Sequence, residues 1–166
     1  MYKISGLLVA IICFMLTGPS FGEGGGLRVD PGTLLIQNVP VGKERSLYAL
    51  TGVNFRIYND DEIDHTFVIS AHKPSMIGNG KWSSYRYKEI PDPNWIKIKE
   101  KKVRIEKKNN KKVDIFLNIP NDEANYNQRW EVTIQVKREI NPKTIFVLEA
   151  YPRFQIETEE KGGDIK

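Results

Sequence analysis

Cysteine is almost absent from this chain. Its 166 residues include one, Cys13, so no disulfide can form within the chain and any core must hold by apolar burial alone. Cys13 sits in mid-run, with Phe14, Met15 and Leu16 still to come; a lipid-accepting cysteine would close such a run. There are two histidines, His65 and His72. There is no Gly-x-Ser-x-Gly elbow, no His-x-x-x-His pair and no Asn-x-Ser/Thr acceptor, which removes the common nucleophile, zinc and N-glycosylation signatures. Long apolar runs are missing too. The longest, Leu7–Leu16, has about ten residues, too few to cross a bilayer as a helix.

That short run has a meaning of its own. Met1–Lys3 places a positive charge before it, Thr17-Gly18-Pro19 breaks it, and Ser20 and Gly22 put small residues at the two positions a signal peptidase reads. Residues 1–22 are therefore expected to be a secretory signal, cleaved after Gly22. The mature chain would hold about 144 residues, enough for one domain with a full core. An exported domain with neither disulfides nor N-glycosylation acceptors fits a bacterial envelope, periplasmic or extracellular, with no transmembrane segment in the mature chain.

Period-two hydrophobicity dominates the rest of the chain. Val53, Phe55 and Ile57 alternate with Asn54, Arg56 and Tyr58, and Asn59-Asp60-Asp61 closes the run as turn formers do. Phe67, Ile69 and Ala71 repeat the pattern, as do Val113, Ile115, Leu117 and Ile119, and then Trp130, Val132, Ile134 and Val136. Thr144–Ala150 is apolar on both faces. Ile96/Ile98 and Val103/Ile105 fit two strands and not one helical face. No window shows a 3.6-residue period. Asn109-Asn110 is expected to turn a hairpin between Ile105 and Val113, with φ > 0; Asn141-Pro142 is a further turn. The chain is expected to be all-β, a single antiparallel sandwich of about seven to nine strands over 33–158, after a loose Gly-rich leader at 23–32 and before a flexible tail at 159–166.

Several pieces, in order, resemble the Ig-like β-sandwich modules of bacterial envelope and cell-surface proteins. They are Leu35–Gly42 (LIQNVPVG), Val53–Asn59 (VNFRIYN), Pro93–Ile96 (PNWI), Val113–Pro120 (VDIFLNIP), Tyr126 and Glu131–Val136 (EVTIQV). The resemblance implies a fold and no activity. The Cys–Trp–Cys pattern of antibody domains is absent, and the basic anchor pair of pilus chaperones has no place on this sequence.

Candidate sites each have a plainer competing explanation. His65 and His72 are seven apart, hence on opposite faces of one strand, so they do not share a metal; His65 beside Asp61 and Asp64 could ligate alone, or simply sit in a solvated turn. Asp60, Asp61 and Asp64, with Asn59 and Glu62, offer oxygens of the kind Ca²⁺ takes, or cap their own turn. Lys97–Lys112 holds nine basic and two acidic residues. Within it Lys99, Lys101, Lys102, Arg104, Lys107, Lys108, Lys111 and Lys112 crowd one place, a surface for anionic glycans, lipid head groups or an acidic partner, or the protection of a strand edge. The run has no interleaved aromatics to stack bases, so no nucleic-acid partner is expected. In the long stretch Lys73–Asn94, Trp82, Tyr85 and Tyr87 suit sugar rings or a partner's apolar surface, with Tyr85 and Tyr87 on one face. Trp95 and Trp130 read as core.

No catalytic constellation or cofactor set emerges. The expectation is a non-catalytic exported domain, a structural or protein-interaction module of the bacterial envelope that docks a protein partner through a sheet edge or the Lys73–Asn94 loop. The alternatives are a carbohydrate-binding module using Trp82, Tyr85 and Tyr87, and a periplasmic chaperone that donates an edge strand.

Overall fold

The computed structural model describes residues 26–77, 85–140 and 147–162. The signal at 1–22 with Cys13, Trp82, the Asn141-Pro142 turn, Thr144–Phe146 and the last four residues of the tail lie outside the described residues.

In chain order the strands begin with β1 (Leu27–Asp30), β2 (Thr33–Val39) and β3 (Arg45–Ser46), which leads into a short helix, α1 (Leu47–Thr51). Then come β4 (Phe55–Asn59), β5 (His65–His72), β6 (Lys88–Glu89), β7 (Ile96–Ile98), β8 (Lys102–Ile105), β9 (Asn109–Val113) and β10 (Ile115–Leu117). β11 (Arg129–Arg138), β12 (Glu149–Ala150) and β13 (Arg153–Thr158) complete the fold. One layer runs β2-β13-β11-β5-β8. The other is built from β1-β4-β9 and β3-β10-β7. Val113, Ile115, Leu117 and Ile119 are all buried, so β9 and β10 act as one long strand that changes partners at Asp114. The pairings between described strands are antiparallel except for two, β2 with β13 and β6 with β11; an isolated bridge from Val41 to Ile119 is parallel as well.

The core lies between the layers and follows from the alternation. Phe55 and Ile57 point in from one layer; Phe67, Ile69, Val132, Ile134, Phe154 and Ile156 point in from the other. The rings of Phe55 and Phe154 meet edge to face, centroids 5.9 Å apart. Trp130 is buried, and half-buried Trp95 stands edge-on to it at 5.3 Å.

Four features differ from the sequence reading. The leader assigned to 23–32 is strand from Leu27 onward: Leu27 and Val29 alternate with Arg28 and Asp30, pack against the core, and pair with Asn59 and Ile57. At the other end Glu159 still belongs to the sheet, its N–H donating to the Val39 carbonyl (3.0 Å) and its Oε1 accepting from the Val41 N–H (2.8 Å). A helix exists where no 3.6 period is visible, because five residues are too few to show one. Its signals are the two ends: the Ser46 hydroxyl accepts from the Ala49 N–H at 3.1 Å, and Gly52 takes φ +70° and donates to the Tyr48 carbonyl. Finally, β8 and β9 form no hairpin. β8 pairs β5 in one layer and β9 pairs β4 in the other. The turn between them therefore carries the chain across the sandwich, and its positive φ (54°) falls on Lys108, one residue before the asparagine pair.

Candidate functional site

Asn59 organises one end of the sandwich. It closes β4 as a turn former should, yet it is wholly buried. Its amide nitrogen donates to the carbonyls of Ile63 (2.8 Å), Ile105 (3.1 Å) and Glu106 (3.1 Å), and its Oδ1 accepts from the Asp61 N–H (3.2 Å). One side chain thus clamps the acidic turn at 60–64 to the basic turn at 106–108. A backbone bond from Lys108 N–H to the Asp61 carbonyl (3.2 Å) adds to it.

The clamp brings together two charge clusters that the sequence keeps apart. Asp60 faces Arg28 (3.3 Å). Asp61 Oδ2 lies 2.7 Å from His65 Nε2 and 3.4 Å from Arg138 Nη1. Asp64 bonds Arg104 Nη2 at 2.9 Å and accepts from the Lys107 N–H at 3.1 Å. Lys108 reaches Glu62 (2.9 Å), and Lys102 reaches Glu139 (2.5 Å). The carboxylates proposed for calcium are each turned to a cation of the chain, and the Asn59 oxygen is taken by the Asp61 N–H. Among the described residues no group of three or more His, Cys, Asp or Glu side chains converges as a metal set would. The basic run is likewise interleaved with carboxylates: Lys97 with Glu44, Lys111 with Glu100, Lys99 and Lys112 with Asp114. Lys101 and Lys107 have no carboxylate within ion-pair reach among the described residues.

Beside this network lies a cleft of about 360 Å³, with Ile63, Asp64, His65 and Thr66 on one wall and Arg138, Glu139 and Ile140 on the other. His72, at the far end of β5, bonds the Ser70 hydroxyl at 2.7 Å, well away from His65.

Asp64 gives the network a measurable property. The Arg104 guanidinium and the Lys107 N–H bond its carboxylate and hold its pKa below the usual aspartate range. A depressed folded value means that the contribution is complete above the ordinary aspartate range and fades as pH falls through the folded value. By NMR the Asp64 carboxyl should titrate below an exposed aspartate, and Arg104→Ala should move it upward. An unchanged midpoint in that variant would mean that the bond is absent in solution.

Of the loop aromatics, Tyr85 and Tyr87 lie within the described residues. Tyr85 is fully exposed. Tyr87 is half-buried and its hydroxyl donates to Glu157 Oε1 at 2.9 Å; desolvation first, then this carboxylate, pushes its phenol pKa up. Glu157 is held below the usual glutamate range by Gln37 first and Tyr87 next. The long connection turns at Pro74–Met76 against β11, where Pro74 and Ile77 are buried, and rejoins the sheet as β6 beside Trp130 and Glu131. Glu131 and Thr133, which alternate outward from the core, are also buried.

The strand edges separate more sharply. Each described sheet has two end strands. β1 carries Arg28 and Asp30, β9 Lys111 and Lys112, β3 Arg45, β7 Lys97, and β8 Lys102 and Arg104. Charge on an edge discourages pairing with other chains. β2 reads TLLIQNV and has none. Arg153 N–H donates to the Gly32 carbonyl at 3.0 Å, which sets the phase of the parallel ladder. Leu34 and Ile36 then bond β13, while Thr33, Leu35 and Gln37 turn their N–H and C=O groups away from it. All three are exposed, Leu35 by 45%. Beyond Gln37 a bulge intervenes, with Asn38 at φ 54°.

No protein-family model matches the chain, and no curated protein matches its sequence. Solved structures match its shape. A PapD-like domain of human CEP192 aligns with a TM-score of 0.52 at 10% identity, covering 96% of this chain and 98% of that one. A chain from the chaperone–tip adhesin complex of CFA/I fimbriae aligns at 0.54 and 13% identity, covering 82% and 57%. The periplasmic chaperone SfaE aligns at 0.53 and 11%, covering 80% and 58%.

The fold is an immunoglobulin-like, PapD-like β-sandwich. At such identities the likeness reaches the fold and goes no further. The chain spans little more than half the length of these last two chains.

Sequence reasoning placed Asn59 in its turn but missed its burial, and it missed the burial of Glu131 and the meaning of the β2 edge. Asn59 and Glu131 are polar, so nothing local announces their burial. β2 is legible as a strand, but its missing charge gains meaning only once every other edge is seen to carry some.

Proposed function

We propose that this chain is an exported, non-catalytic Ig-like domain that serves as a protein-interaction module of the bacterial envelope, with residues 1–22 removed as a signal. The observation that carries the proposal is the β2 edge: five consecutive residues, Thr33–Gln37, without charge, of which Thr33, Leu35 and Gln37 turn their backbone groups outward and Leu35 is exposed. Such an edge recruits an extended segment as an added strand, with backbone bonds supplying the affinity. The signal-like N-terminus supports export. Among the described residues no helix is long and apolar enough to cross a membrane. A periplasmic chaperone and a chain of a chaperone–tip adhesin complex among the fold neighbours support a second reading, in which the edge holds a client subunit.

Cross-linking of the tagged protein in its native envelope, followed by mass spectrometry, tests this. The expected result is a stoichiometric protein partner with cross-links clustered on 33–38, lost in Leu35→Pro. That change deletes an N–H that β13 does not use, at an edge position where proline is tolerated. A protein that captures no partner, or captures it equally well as Leu35→Pro, would refute the edge. Recovery of polysaccharide in place of protein would favour glycan binding and return attention to Trp82, Tyr85 and Lys101.

A further inference from the structure

We infer that the occupant of the β2 edge is a second copy of this chain, paired antiparallel across a two-fold axis at Leu35; this rests on the reading of β2 as the docking edge. The usable edge is bounded on both sides. Gly32 and the Pro31 turn precede it, and the bulge at Asn38 follows it. Leu35 is therefore its midpoint, with Thr33 and Gln37 at equal distances. An antiparallel pair centred there sets Leu35 opposite Leu35, and Thr33 opposite Gln37 of the second copy. All three residues have outward-facing backbone groups. In that register every N–H and C=O that they expose meets a complementary group, because directly opposed residues of this phase exchange both bonds.

The neighbouring strand agrees with this register. Arg153 stands beside Thr33, and Glu157 beside Gln37, which it accepts from at 2.9 Å. Across the axis one row reads Arg153, Thr33, then Gln37 and Glu157 of the second copy. Its two ends have opposite sign and no like charges face each other. Pairing through a neutral strand also avoids the cross-strand repulsion that the wholly basic edges β8 and β9 would impose on themselves.

Assembly stops at two copies. A two-fold contact uses the same patch on both molecules and closes on itself. The joined sheet then runs from β8 of one molecule to β8 of the other, and each end is guarded by Lys102 and Arg104. An uncharged edge that would otherwise invite open-ended aggregation is consumed by the pairing.

Sedimentation and amide hydrogen exchange of the mature protein across a wide concentration range decide the matter. The expected result is a concentration-dependent species of twice the monomer mass. The amides of Thr33, Leu35 and Gln37 should gain protection in step with it, whereas those of Leu34 and Ile36, bonded to β13, are protected at every concentration. Leu35→Pro and Leu35→Lys should both stay monomeric, with native circular dichroism; the lysine variant guards against misfolding of the first. A wild type that is monomeric throughout, or a dimer that survives both substitutions, overturns the second copy as occupant. The docking edge itself is judged separately, by whether Leu35→Pro still captures its cross-linked partner in the envelope.

Discussion

Replacing Asn59 with leucine lowers the free energy of unfolding by about 4 kcal/mol, one of the largest losses expected from a single polar position in this domain. Leucine nearly matches asparagine in size, so little packing is lost. What disappears is one amide group that serves the Ile63, Ile105 and Glu106 carbonyls and the Asp61 N–H. A buried backbone group left without its partner costs roughly 1–3 kcal/mol, and the groups involved lie at a buried or part-buried junction. Asn59→Asp should be worse still, because it sets a carboxylate against three carbonyl oxygens. Urea denaturation with an unchanged slope is the measurement. A loss below about 1 kcal/mol, less than one unpaired buried group costs, would show that solvent or a local rearrangement satisfies the turn. The second consequence of this substitution is at the surface. With the clamp gone, the Asp64–Arg104 pair separates and the Asp64 carboxyl should return towards its ordinary pKa.

Truncating Phe154 to alanine should cost about 4 kcal/mol, within the range for phenylalanine in a closed core. Phe154 is fully buried on β13 and meets Phe55 of the opposite layer edge to face at 5.9 Å and 85°. The site cannot collapse easily, since Ile156 and Val132 around it sit on strands paired on both sides and Ile36 is paired to β13. Phe55→Ala should cost a similar amount. The double variant should be less destabilised than the sum of the two by about 1 kcal/mol, the extra worth of an aromatic pair. Strict additivity would mean that the two rings contribute only their separate burial.

Much of the fold is readable because alternation is local. Phe55 and Ile57, or Val132 and Ile134, declare their inward face within a few residues, and the structure buries them as read. The pairing of strands is not local. Ile105 and Val113 look like the two arms of a hairpin, yet the turn between them carries Asp61 and Asp64 against its backbone and side chains, which pulls the arms into different layers. Leu27 and Val29 escape notice because a glycine-rich stretch precedes them. The strand beside Glu131, β6, comes from some forty residues earlier in the chain. The acidic and basic clusters each look like a free surface in the sequence, because the attraction that neutralises them acts between residues such as Asp64 and Arg104, which only the completed fold makes neighbours.

The parallel pairing of β2 with β13 sets the timetable of folding. A chain that emerges from a ribosome or a translocation pore presents β2 among its first folded elements and β13 among its last. Until Thr158 is out, the central layer lacks the strand that joins its edge to β11, and Ile36 and Phe154 have no common core to enter. Closure is therefore deferred to the end of emergence, and it brings together segments far apart in the chain, a slow kind of contact to make. A domain wired in this way stays open, and threadable, for as long as it is still being delivered.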